Sequence, residues 1–86
     1  MYYVYILKSL KDNKFYTGFS KDLRRRVAAH NAGLNTSTAK RAPLVLIYYE
    51  AYRNEKDARL REHFLKTGKG RENIKDQIKH SIIEEV

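Results

Sequence analysis

The sequence predicts an α+β fold: a three-stranded, mostly antiparallel sheet with helices packed on it, in the order β-β-α-β-α-α. One domain spans residues 1–86, a length that suits a single modest core. Three observations carry the prediction. Residues 2–7 and 44–49 are dense in aliphatic, β-branched and aromatic side chains, as strands are. The polar turn Lys11-Asp12-Asn13-Lys14 separates the first of these runs from a second short strand, Phe15-Tyr16-Thr17. Ile74, Ile78 and Ile82 recur four residues apart, the spacing of a helix face.

Along residues 2–9, Tyr3, Tyr5 and Leu7 share one face and Tyr2, Val4 and Ile6 the other. Both faces are apolar or amphipathic, which predicts cover on each side. The second strand pairs antiparallel with the first and ends at Gly18. A glycine there suits a sharp exit or a close backbone approach. Ser20 is placed to cap a helix over 21–32, with Asp22 in its first turn and Gly33 at its end. Leu23 and Val27 give that helix an apolar stripe, and Arg24, Arg25 and Arg26 fan around it. A polar loop over 34–41 follows. After Pro43 comes the longest apolar run, 44–49, read as a buried strand. Asn54 caps a second helix over 55–67, closed by Gly68. On it Ala58, Leu60, Phe64 and Leu65 form the inward arc, with Glu62 at the edge of that arc. Lys69-Gly70-Arg71 reads as a basic, flexible link, and the third helix runs to about Glu85.

Eighteen Lys and Arg against ten Asp and Glu give a net charge of +8. Such a balance favours polyanions, nucleic acid or anionic lipid, although many small domains carry excess charge only for solubility. The absence of cysteine excludes disulfides and thiolate metal sites. The three histidines are far apart in sequence, so zinc is not expected. No apolar run reaches membrane length, and the chain opens directly on strand-like sequence. The expectation is a soluble cytoplasmic protein with no membrane association.

Candidate chemistry gathers around Tyr16-Thr17-Gly18 and the helix after it. Tyr5 lies eleven residues before Tyr16, and Arg26 and His30, four apart, share one helix face. Two tyrosines, an arginine and a histidine could meet at one end of the sheet. Each also has a plain structural role: strand tyrosines commonly pack in a core with the hydroxyl at its rim, and a lone helix histidine usually makes a structural hydrogen bond. Glu62 could simply pair with Lys66 one turn on.

Tyr3-Val4-Tyr5, then ten residues, then Tyr16-Thr17-Gly18 resemble the signature of the GIY-YIG nucleases. Arg26 and His30, ten and fourteen residues after Tyr16, fall where that family carries an arginine and a histidine or tyrosine. Glu62 matches its metal-binding glutamate, and residues 40–50 are similar to the small stand-alone members. The likeness covers nearly the whole chain. It departs from the pattern at Tyr3, which replaces the first glycine, and at Phe19, where some members carry a basic or polar residue. The family's late asparagine has two candidates, Asn73 and Gln77. The second domain from which relatives often take DNA specificity is not evident.

The resemblance implies hydrolysis of phosphodiesters in nucleic acid, DNA above all, with one Mg²⁺ or Mn²⁺ ion held by Glu62. Mg²⁺ keeps several waters, so one carboxylate and a substrate phosphate can hold it. Arg26 would clamp the scissile phosphate through two parallel hydrogen bonds. The general base stays open between Tyr16, Tyr5 and His30. A phenol near pKa ~10 needs a cation to lower it, whereas an imidazole near ~6.5 accepts a proton readily. The expected function is a metal-dependent endonuclease of low base specificity, since no helix suited to the major groove is evident. The alternatives are a non-catalytic nucleic-acid binding module and a protein-interaction domain on the same scaffold.

Overall fold

The computed structural model describes residues 1–83. Strands β1 (Tyr2–Ser9), β2 (Phe15–Ser20) and β3 (Leu44–Tyr52) form one sheet in the order β2-β1-β3, and both pairings are antiparallel. At the hairpin, Ser9 N–H donates to Lys14 O at 2.9 Å and Asn13 N–H to Ser9 O at 2.8 Å. Asn13 takes φ 60°, a conformation asparagine tolerates better than most residues.

β1 is the central strand and is covered on both faces, as its double apolar pattern predicts. Val4 and Ile6 pack against α2 (Glu55–Leu65) and α3 (Gly68–Gln77) through Ala58, Leu65, Ile74 and the cap residue Ile78, with Ile82 of α4 (Lys79–Ile83) packed alongside. Tyr5 and Leu7 pack against α1 (Leu23–Asn31) through Leu23 and Val27, with Leu44 alongside. β3 carries the longest apolar run but lies at an edge, so it is half-buried rather than enclosed. A register shift between Ile6 and Leu7 leaves Ile47 as the extra residue of a bulge.

Several boundaries differ from expectation, each for a local reason. β2 passes through Gly18 and continues to Ser20. The cap of α1 is Asp22, whose Oδ1 accepts from Arg25 N–H at 3.2 Å. Ser20 instead holds the bend before it, its hydroxyl donating to Asp22 O and accepting from Asp22 N–H, both at 2.9 Å. α1 closes at Gly33, φ 75°, with Gly33 N–H on His30 O and Leu34 N–H on Ala29 O, both at 3.1 Å, the Schellman pattern.

α2 stops at Leu65, and Thr67 caps a new helix by accepting from Gly70 N–H at 3.0 Å. Lys69-Gly70-Arg71 is thus the first turn of α3, not a link. Gly70 is required there because a Cβ would run into the carbonyl of Phe64. The expected third helix breaks at Ile78 (φ −112°, ψ 26°) into α3 and α4, so the described residues hold one more helix than predicted. Ile74, Ile78 and Ile82 still face the sheet. The expected end near Glu85 lies outside the described residues.

On α2, Leu60 points to solvent, 70% exposed, and Arg61 takes the inward place. Glu50 of β3 is the cause. Its carboxylate accepts from Arg61 Nε at 3.0 and 3.1 Å, from Nη2 at 3.0 Å, from the Tyr48 hydroxyl at 2.7 Å and from the Tyr52 hydroxyl. Burial raises the Glu50 carboxyl, but hydrogen bonds from Arg61, Tyr48 and Tyr52 more than offset that and hold it below its ordinary value. Burial, then Glu50, push the Tyr52 hydroxyl up to about 12. Tyr48 and Tyr52 thus hold the Glu50 carboxylate through which Arg61 fastens α2 to β3. No helix among the described residues is long and apolar enough to cross a membrane.

Candidate active site

β2 is an edge strand with α1 on one face of the sheet and α2 on the other. Tyr16 packs on the α1 side and Phe19 on the α2 side, yet both line one groove of about 760 Å³. The groove therefore wraps round the outer edge of β2. α1 supplies Arg25 and Arg26 to one wall, and α2 supplies Glu55, Arg59 and Glu62 to the other.

Tyr5 reaches this groove from the central strand because Gly18 lies opposite it in the ladder. A Cβ on Gly18 would collide with the Tyr5 phenol and come within 3.0 Å of the Tyr16 ring. The glycine thus answers a close approach, not a sharp exit. The Tyr5 hydroxyl lies 2.8 Å from Nε2 of His30, and Nδ1 of His30 lies 2.6 Å from Oγ1 of Thr38. His30 and Thr38 are both 0% exposed, and the Tyr16 ring meets the imidazole edge-on at 4.9 Å. The loop holding Thr38 reads from the sequence only as polar. Its threonine instead satisfies a buried histidine.

Burial is the main reason that the Tyr5 hydroxyl titrates well above its ordinary value; Tyr16 and Glu62 push it the same way, and Arg26 opposes them. Burial, then Arg26, hold His30 below 6.5, so the imidazole is neutral at neutral pH. Neutral imidazole has one donor and one acceptor nitrogen, which its two partners satisfy.

Arg26 is exposed on the groove wall, and its charge reaches both Tyr5 and His30. Arg25 lines the groove beside it. Glu62 faces them, its side chain 16% exposed, paired with Lys66 at 3.0 Å and with Arg59 at 3.6 Å. Arg59 was not anticipated; its guanidinium lies 3.7 Å over the Phe19 ring, so a cation stands where Phe19 departs from the basic residue of some relatives. The sequence signals for it were its offsets of four residues from Glu55 and three from Glu62, with both of which it pairs at 3.6 Å.

The structure thus brings Tyr5, Tyr16, Arg26 and Glu62 onto one groove, with His30 directly behind Tyr5. It does not bring the late amides there. Gln77 donates to the Tyr48 hydroxyl at 3.4 Å beside β3, and Asn73 is exposed away from the groove. His63 and His80 are exposed and outside it. Among the described residues no three His, Cys, Asp or Glu side chains cluster as a metal cage. The donor set in the groove is sparse and made of oxygen, chiefly Glu62. That fits a hard cation that keeps its waters and takes phosphate oxygens, and it does not fit tetrahedral zinc.

The sequence matches the family described as GIY-YIG catalytic domain over residues 1–75. A UPF0213 protein of Staphylococcus haemolyticus is 40% identical over 75 residues, covering 86% of this chain and 90% of the relative. One from Clostridium perfringens is 43% identical over 67 residues, covering 77% of this chain and 71% of the relative. The solution NMR structure of a UPF0213 protein from Bacillus halodurans superposes with a TM-score of 0.56 at 31% identity, covering 90% of this chain and 85% of that one. With the tyrosine pair, Arg26 and Glu62 gathered on one groove and the family match running into α3, the chain belongs to the GIY-YIG family, whose catalytic domain is of nuclease type.

Proposed function

We propose that the protein is an endonuclease that hydrolyses phosphodiester bonds in DNA, with Mg²⁺ or Mn²⁺ as cofactor and little base specificity. The single observation that supports this reading most is the shared groove, with a carboxylate on the α2 wall and a guanidinium on the α1 wall, either side of two phenols. Arg26 binds and orients the scissile phosphate, its charge free of competing carboxylates in the described contacts. Glu62 holds the cation, which when bound relieves charge on the phosphate and on the leaving oxygen.

The proton path runs through Tyr5. A water in the groove gives its proton to the Tyr5 oxygen as the Tyr5 hydroxyl gives its own to Nε2 of His30, 2.8 Å away. The resulting hydroxide attacks phosphorus and the bond to the leaving oxygen breaks. Thr38 accepts from Nδ1–H of His30 and so keeps Nε2 as the acceptor. Because burial raises the phenol, Tyr5 acts as a relay rather than as a standing phenolate. Tyr16 packs against the imidazole and lines the groove beside Tyr5.

The test is a cleavage assay on single-stranded, duplex, flapped and branched DNA, with and without Mg²⁺. Wild type should cut only with metal. Folded Glu62→Ala and Arg26→Ala proteins should fall by at least 10²-fold, the scale of losing a charge-stabilising group. Undiminished cutting by both variants would overturn the assignment. A non-catalytic binding module is the second reading, and the pairing of Glu62 with Lys66 and Arg59 favours it. It predicts metal-independent DNA binding with no cleavage of any substrate.

A further inference from the structure

On the opposite side of β2 from His30 lies a second hollow, of about 470 Å³, between the β1–β2 hairpin, the end of α2 and the helix pair α3–α4. Its floor is apolar: Ile6, Ile47, Ile74, Ile78 and Ile82, with Phe15 at one side. Its rim is cationic: Lys14, Lys66, Arg71 and Lys75, with no carboxylate among the described lining residues. Lys75 Nζ stands 5.6 Å from the centre of the Phe15 ring. The hollow is not separate from the candidate active site. Tyr16 lines both, and Lys66 on the hollow's rim is paired with Glu62 in the groove.

Resting on the nuclease reading, we propose that this hollow is a subsite for an unpaired nucleotide of the substrate strand, next to the bond held in the groove. An apolar floor with a flanking aromatic suits the face of a base and offers nothing to a hydrated phosphate. Lys14, Arg71 and Lys75, with no carboxylate among the described lining residues, suit the phosphates on either side of that base. The volume is that of a pocket for one small ligand, not of a channel for a duplex. A paired base buries its faces in the stack and cannot reach the floor. The two halves therefore select a strand with at least one base free to leave its neighbours.

The isoleucines make the test direct. Five of the chain's six line the hollow, so an Ile-δ1 methyl NMR spectrum reports on it almost exclusively. The full chain, in chelator so that nothing is cut, is titrated with a short oligothymidylate and, separately, with a blunt duplex of equal charge. The expected result is methyl shifts at Ile47, Ile74 and Ile82 with the oligothymidylate and not with the duplex. Lys14→Glu/Lys75→Glu should bind the oligothymidylate at least tenfold more weakly. Arg53→Glu/Lys56→Glu, an equal change of charge at the start of α2, should cost much less.

Backbone amide spectra recorded in the same titrations extend the view to the groove: amide shifts confined to Tyr16, Arg26 and their neighbours, with the isoleucine methyls unmoved, would overturn the subsite while leaving the nuclease reading standing. Equal methyl shifts with the blunt duplex, or equal losses in the two double variants, would overturn it as well. No shift anywhere at low salt would remove the nucleic-acid reading, and the subsite with it.

Discussion

Tyr5 and His30 are a buried pair that the fold keeps uncharged, and the acid limb of stability should show it. His30 sits below its ordinary 6.5 through burial and Arg26. The unfolded chain therefore binds the proton more readily, and stability is full above 6.5 and falls as pH drops from there through the folded value. Thermal melts of wild type should show that decline, and His30→Gln should lack it. Gly18→Ala should cost about 1–3 kcal/mol by pushing a methyl into the Tyr5 phenol. Denaturant midpoints measure it, and a neutral result would contradict the close approach. Tyr5, Tyr16, Arg26 and His30 were legible in the sequence because their spacing is set by one strand pair and one helix, whereas Glu62, on α2, was marked by the family resemblance. Thr38 was not: nothing in a Thr- and Ser-rich loop marks which hydroxyl turns inward. Arg59 was hidden for a similar reason, since its partner ring lies on β2, forty residues earlier.

At the scale of elements, α2 is oriented by one ionic anchor and one glycine. Arg61 is drawn to Glu50, which turns Leu60 outward and sets Glu62 toward the groove. Glu50→Gln and Arg61→Met in a double-mutant cycle should show coupling of about 1–2 kcal/mol at neutral pH, after allowance for partial solvent exposure. The folded Glu50 carboxyl lies below its ordinary 4.5, so that coupling is present above 4.5 and should be lost as pH falls through the folded value. Persistence of the coupling in strong acid would argue against an ionic anchor. Strands and helix faces were readable from period-2 and period-3.6 patterns. The turn between α2 and α3 was misread because glycine and lysine usually mark a link, while here Thr67 caps and Gly70 relieves a collision. Leu60 was misassigned for a related reason: a wheel counts hydrophobicity and cannot see a carboxylate waiting on another strand.

For the whole molecule, the net charge of +8 and the groove arginines Arg25, Arg26 and Arg59 predict DNA binding that weakens with salt. Three phosphate contacts would give a slope of about −2 to −3 in log K against log salt, and Arg25→Ala should reduce its magnitude by about one. Fluorescence anisotropy over a salt series measures both, and a flat dependence would remove the electrostatic account. The β2-β1-β3 order also has a consequence for self-association. The outer rim of β2 is where substrate would lie, so two copies joined edge to edge through β2 would each seal the other's cleft. Only β3 offers a rim along which the sheet could be extended without silencing it.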